Sequence, residues 1–242
     1  MITKNQVKYI QSLGQKKSRD AENEFIAEGP KIVSELLWAS NCRVTQLYAV
    51  SGWVNNFPGS NIETIEVSES DLKKISQLVT PNKVLAVAEK IKWKGEPVIK
   101  GNISLALETI QDPGNMGTIV RLADWFGITH IFCSTDCADI YNPKVVQATM
   151  GSITRVRVEY VDLLSWVAKN NDIRIYATSL DGRDITKMEK LNEGIIVIGN
   201  ESKGISEEIR KLGNVQITIP RKGKADSLNA AIATGIILSH LC

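Results

Sequence analysis

The stretch that decides the fold runs from Ile103 to Ile128, "ISLALETIQDPGNMGTIVRLADWFGI". An apolar run, Ile103–Ile110, enters a turn holding Gly114, Asn115 and Gly117. A helical apolar pattern leaves that turn, with Arg121 on it. Strand, glycine loop, helix is the layout of a nucleotide-binding site, but the dinucleotide fingerprint needs G-x-G-x-x-G. Only Gly114 and Gly117 are present, so that reading fails. Further apolar runs follow at His130–Ser134, Ile173–Ser179, Gly194–Asn200 and Val215–Pro220. Between them the spacing predicts helices over about 117–126, 142–150, 162–169 and 226–241. Strands apolar on both faces belong in a parallel sheet covered by helices, which makes this half an α/β domain.

Upstream the same alternation runs in shorter pieces. A helix is expected over 3–13, ending at Gly14 and followed by a polar, basic link. Then come strand "FIAEGP" (25–30), a helix over 31–39, strand "VTQLYAV" (44–50), a Gly/Pro/Asn loop at 52–61, "IETIEV" (62–67), a helix over 69–77 and "VLAVAEK" (84–90). The Lys/Gly/Pro stretch at 90–102 has neither period and reads as a linker. The expected division is a small α/β domain over 1–95, a linker over 96–102 and a larger domain over 103–242.

The bulk properties mainly exclude. A net charge of +2 over 242 residues does not by itself announce a polyanion partner. The first nineteen residues, however, carry Lys4, Lys8, Lys16, Lys17 and Arg19 with no acid among them, as a solvated helix face or a polyanion-contacting one would. Cys42, Cys133, Cys137 and Cys242 form no C-x-x-C pair, and with two histidines a structural zinc site is not expected. Free thiols, the lack of a basic-then-apolar leader and the lack of a membrane-length apolar run point to the cytoplasm.

Three polar clusters sit at the ends of predicted strands, the edge where open α/β sheets place ligands. They are Asp112–Arg121, Gly199–Gly204 and Pro220–Asn229. "GNESKG" (199–204) starts like a phosphate loop, but Ile205 and Ser206 stand where Lys and Ser/Thr are required, which disfavours ATP or GTP. In the third cluster, Asp226 or Ser227 is a natural helix N-cap. The helix behind it is lined by Ala230, Ala231, Ala233, Thr234 and Gly235, a small-residue face that implies close packing.

Together these clusters resemble the three motifs of the SpoU (TrmH-type) RNA 2′-O-ribose methyltransferases of the SPOUT class. Asn115-Met-Gly117…Arg121 resembles the first, Gly199-Asn-Glu201-Ser-Lys-Gly204 the second, and Ile219-Pro220…Gly223…Ser227-Leu228-Asn229 the third. The likeness extends over about 105–240, including "CADIYNPKVVQATMGSITRVRV" (137–158). "RDAENEFIAEGPKIVSELL" (19–37) resembles the family's N-terminal substrate-binding domain. Departures are slight: Ala230-Ala231 follow S-L-N, and Arg221 stands where a Met is common.

The resemblance implies a trefoil-knotted C-terminal domain binding S-adenosylmethionine through main-chain groups. It places the cofactor against Ile198, Gly199, Gly204, Ile219, Pro220 and Leu228. It implies Arg121 as the catalytic arginine, with Asn115 orienting and Glu201, Ser227 and Asn229 completing the polar frame. A guanidinium holds its proton too tightly to make a good base, which favours Arg121 as a phosphate clamp and alkoxide stabiliser; a strongly perturbed arginine acting as base is the alternative. Expected partners are RNA, held by Arg121 and by Lys16, Lys17 and Arg19, and a second copy of the chain packed through the knotted domain. No metal and no membrane are expected. Ribosomal RNA of the 23S type is the expected substrate. A tRNA ribose methyltransferase is one alternative, and a non-catalytic RNA-binding or ribosome assembly factor is another.

Overall fold

The both-faces-apolar runs do pair in parallel. The computed structural model describes residues 2–54, 62 and 64–242, so the expected 52–61 loop falls mostly outside the described residues. The chain divides into two compact units, residues 1–94 with 139–154, and residues 95–138 with 155–242.

The first unit opens with α1 (Lys4–Ser12) and α2 (Lys16–Glu22) and continues β1 (Glu24–Glu28), α3 (Pro30–Trp38), β2 (Val44–Ala49), α4 (Ser51–Val54), β3 (Thr64–Glu66), α5 (Glu69–Ile75) and β4 (Val84–Glu89). Its sheet has the order β1-β4-β2-β3, antiparallel around β4 and parallel between β2 and β3. Ile10, Leu13, Ile26, Tyr48, Leu72, Ile75 and Leu85 form the core beneath α1 and α5. The basic link expected after Gly14 is helical, α2. Arg19 is the reason it holds: its guanidinium donates to the carbonyls of Leu13 and Gly14, both at 2.9 Å, which satisfies the end of α1.

The second unit carries β5 (Ile103–Leu107), α6 (Pro113–Trp125), β6 (His130–Ser134), then, after α7 (Pro143–Thr149) in the first unit, β7 (Arg157–Val161), α8 (Leu163–Lys169), β8 (Ile175–Asp184), β9 (Gly194–Ile198), α9 (Glu207–Leu212), β10 (Val215–Thr218) and α10 (Ala230–Leu241). The sheet order is β10-β8-β9-β5-β6-β7, with every neighbour parallel. Ala106, Phe132, Val167, Ile175, Ile195, Val197 and Ile209 fill the core on one face. The chain runs outward from β5 through β6 to β7, then returns to the other side of β5 as β8 and β9. The order therefore reverses between β5 and β9, the position at which open α/β sheets bind ligands.

Two helix starts differ from the sequence reading. The helix expected from 117 begins at Pro113, because Asp112 caps it by accepting the Asn115 N–H at 2.8 Å. Gly114, Asn115 and Gly117 thus lie in the first turn and a half of α6, not in a loop before it. The helix expected from 226 begins at Ala230, capped by Asn229 rather than by Asp226 or Ser227. Two short elements, β7 and α9, were not foreseen at all. Near β10, the pairing with β8 jumps from Ala177 to Arg183, and a side chain at Gly182 would fall on the Ile217 main chain. Two backbones pass there with no room for a Cβ.

Candidate active site

The three clusters leave the sheet on one edge: the first after β5, the second after β9, the third after β10. On α6, Met116, Ile119, Val120 and Ala123 face the core at i, i+3, i+4 and i+7. That spacing turns Arg121 outward. It is exposed, and among the described residues it makes no ion pair and no side-chain hydrogen bond.

Between β9 and α9 the chain folds back tightly. Gly204, at φ +67°, donates its N–H to Asn200 O at 2.8 Å, and a side chain on Gly199 would collide with the Gly204 main chain. Both positions are therefore glycines by necessity. The Asn200 side chain takes the N–H groups of Ser202 and Lys203 and donates to Thr109 O at 3.0 Å. Glu108 accepts the Ser206 N–H at 2.8 Å. Sequence reasoning missed Asn200, Glu108 and Thr109, which fasten the second cluster to the entry of the first. The only signal was that Glu108 and Thr109 are polar residues closing an apolar strand.

One frame joins all three clusters. The Asn115 amide donates to Glu201 Oε1, in a short hydrogen bond, and accepts from Asn229 Nδ2 at 2.8 Å. Glu201 Oε1 also faces the Ala230 N–H at 3.4 Å, while Asn229 Oδ1 caps the N–H groups of Ala231 and Ile232. A carboxylate here is favoured by the positive end of α10. Asn115, Glu201 Oε1 and Asn229 are thus engaged with one another, an arrangement suited to positioning. Beneath it, Cys137 Sγ accepts the Ile110 N–H at 3.2 Å, and a hydrogen bond from buried Cys133 pulls the Cys137 thiol down to about 7 against its burial.

The remaining candidates divide. Ile219 and Gly199 are half-buried, Pro220 and Gly204 are exposed, and Leu228 stands 44% exposed at the same edge. Among the described residues, the main chain of Ile219–Leu228 makes no hydrogen bond to other main chain. Of its carbonyls, Ile219 O accepts from Thr218 Oγ1 and Ala225 O from Arg221. The main chain at Ile219, Pro220 and Leu228, beside the exposed leucine side chain, suits an adenosine with its polar edge and apolar face. Ile198 is buried in β9, and its carbonyl already accepts the Glu108 N–H at 2.9 Å, so it forms the floor. Ser227 is exposed and lies outside the frame, with no hydrogen bond among the described residues. Arg19 is a correction. It is 1% exposed and locked to Asp139 Oδ2 at 2.6 Å as well as to two carbonyls, so it has nothing left for RNA. Lys16 pairs with Asp20 at 2.7 Å on the surface, and Lys17 is exposed.

The profile of the SpoU rRNA Methylase family matches residues 102–239, and that of the MRM3-like substrate binding domain matches residues 4–86. The chain belongs to the SpoU rRNA methylase family. A SpoU-family relative, the 23S rRNA (guanosine(2553)-2′-O)-methyltransferase of Bacillus subtilis, is 28% identical over 98% of this chain and 96% of its own. A structure from Porphyromonas gingivalis ascribed to the TrmH family of RNA methyltransferases superposes with a TM-score of 0.86 at 38% identity, covering 99% of this chain and 98% of that one. The AdoMet-bound rRNA methyltransferase of Sinorhizobium meliloti superposes at 0.85 with 30% identity, over 99% and 95%. The α/β fold with a parallel C-terminal sheet expected from sequence is thus the SpoU fold, preceded by a substrate-binding domain.

Proposed function

We propose that the protein transfers a methyl group from S-adenosylmethionine to a ribose 2′-hydroxyl of 23S-type ribosomal RNA, in the cytoplasm. The observation that carries this reading is the frame of Asn115, Glu201 and Asn229, which ties together three clusters far apart in sequence at the helix that also carries Arg121, exposed and without an ion pair among the described residues. The cofactor supplies an electrophilic methyl on a sulfonium. The chain's own residues do the rest. The main chain around Gly199, Gly204, Ile219, Pro220 and Leu228 holds the adenosine, over a floor that includes Ile198. Arg121 clamps an RNA phosphate with its guanidinium and stabilises the negative charge that develops on the 2′-oxygen as its proton passes to water and the methyl departs, leaving the sulfonium as a neutral thioether. Asn115, kept in one orientation from both sides, fixes the start of α6 and so the line along which the ribose approaches. Such positioning accounts for up to about 7–11 kcal/mol of a barrier.

The first unit presents RNA to this site, with Lys16 and Lys17 as surface contacts. The working form is a homodimer built through the second unit. Trp125 on α6, 82% exposed, and Ile232 on α10, 58% exposed, stand on two helices that pack together and leave an apolar surface for a second copy.

The test is a calorimetric titration with S-adenosylmethionine, followed by mapping of 2′-O-methyl sites in ribosomal RNA with and without the gene. Binding and the loss of one ribosomal methyl mark are expected. No affinity for S-adenosylmethionine would instead make the protein a binding module on this scaffold, and a mark lost from transfer RNA would move the substrate.

A further inference from the structure

The loop between β10 and α10 carries a feature that the cofactor does not require. Residues 220–229, "PRKGKADSLN", hold Arg221, Lys222 and Lys224 against Asp226 alone, three cations to one acid. This net +2 equals the formal net charge of the entire chain. All three cations are exposed, as is Lys203 on the neighbouring loop after β9. Among the described residues, none of the four forms an ion pair. The one bond that Arg221 makes is Nη1 to Ala225 O at 3.2 Å, which closes the turn and leaves the rest of the guanidinium outward. At the end of β8, the strand beside β10, Asp181 and Arg183 are exposed, and Asp184 accepts from Thr186 and pairs with Lys187 at 3.9 Å, so neither acid pairs to the loop. Like charges gathered without acids repel each other, so their concentration on one loop implies a polyanion.

The loop's far end is fixed. Asn229 is bonded to Asn115 on the helix that carries Arg121, so Lys224, five residues earlier, lies within about 18 Å of that frame even if the chain were fully extended. The methionine carboxylate of the cofactor is a single negative charge, too little for three or four cations. We propose that Arg221, Lys222 and Lys224, with Lys203, form a phosphate-binding strip for the RNA backbone flanking the target ribose. This rests on the methyl-transfer reading of the same site.

The experiment measures binding of a short fluorescein-labelled hairpin RNA across a salt series, since phosphate contacts are independent of sequence. Wild type is compared with the triple variant R221Q/K222Q/K224Q, with the charge-keeping R221K, and with K100Q/K169Q/K211Q, which lie where the chain enters β5, β8 and β10 at the other edge of the sheet, as a remote control of equal charge. The slope of log K against log salt should become shallower by about 0.7–0.9 per lost contact, so by roughly 2–3 in the triple variant. R221K and the remote control should keep most of the wild-type slope. The apparent KM for RNA should rise while kcat and the affinity for S-adenosylmethionine stay unchanged, which also reports correct folding. An unchanged slope overturns the proposal, and if cofactor affinity falls instead, the loop serves the cofactor carboxylate. An equal loss in the remote control also overturns it, as a whole-protein charge effect. Should wild type bind hairpin and cofactor yet methylate no ribosomal RNA, the methyl-transfer reading fails, and the slope comparison still decides what the loop binds.

Discussion

Arg19 and Arg121 put the same guanidinium to opposite uses. Arg19, in the first unit, is buried at the end of α2, bonded to two carbonyls and to Asp139. Arg121, in the second, stands exposed on α6 without a partner among the described residues. Burial with four of five N–H donors bonded marks Arg19 as an arginine spent on the fold, whereas the exposure of Arg121 is what the proposed phosphate clamp requires. The contrast extends to the segment that Arg19 grips. Asp139 begins the stretch 139–154, which lies between the first and second motifs in sequence yet packs in the first unit, where the Tyr141 ring meets Phe25 at a tilt of 45° and its hydroxyl takes the Ile91 N–H at 3.0 Å.

The largest effect should come from Arg19→Ala. Removing one partner of a buried pair leaves Asp139 Oδ2 and two carbonyls without their donors, at a cost of about 3–5 kcal/mol. Chemical denaturation would measure it; a loss below about 1 kcal/mol would make the pair no different from a surface bridge. Arg121→Ala should do the reverse. Its melting temperature and cofactor affinity stay at wild-type values, while methyl transfer to ribosomal RNA falls by roughly 10²–10³-fold, the usual cost of one lost transition-state donor. Retained turnover would take Arg121 out of the mechanism and erase the contrast.

Sequence alone could not separate these two arginines. Both are basic residues in polar surroundings, and the burial of Arg19 depends on what arrives from 120 residues away. The parallel sheet was legible because β5, β8 and β9 are apolar on both faces, which only a doubly covered sheet tolerates. The motif clusters were legible because glycines at 199 and 204 and an S-L-N turn are unusual together. What stayed hidden is non-local. The start of α6 depends on the Asp112 cap, so glycines that look like a loop belong to a helix. The fastening of Asn200 to Thr109 spans 91 positions and leaves no trace in either neighbourhood. Asp226 and Ser227 read as the natural caps, and only the three-dimensional fit gives that task to Asn229.

Asn229 separates the fold from the site within a single side chain. Its Oδ1 caps α10, and its Nδ2 donates to Asn115. Asn229→Ala should lose about 0.5–2 kcal/mol of stability together with part of the activity. Asn229→Asp keeps the capping oxygen, deletes the donor and adds a charge near Glu201. Its thermal stability should therefore stay close to wild type while turnover drops. Equal losses of stability in the two variants would show that the contact with Asn115 also holds the fold.

The smallest effect concerns a carboxylate whose situation mirrors that of Arg19. Glu28, 5% exposed in the first unit, accepts from the Ser76 hydroxyl and from the Gln77 N–H at 2.7 Å. Burial nevertheless pushes its pKa up, the two hydrogen bonds only partly offsetting the desolvation of the charged form. A carboxyl raised on folding favours the native state most when protonated. Its contribution is full below the unfolded pKa, near 4.3, and is lost as pH rises through the folded value. Glu28→Gln, which stays neutral, should therefore gain in melting temperature relative to wild type as pH rises from about 4 to about 7, with methyl transfer unaffected. A difference that narrows over that range would mean that Ser76 and Gln77 more than offset the desolvation of the ionised carboxylate. Glu28 would then be, like Glu201 in the second unit, a carboxylate kept for the donors around it.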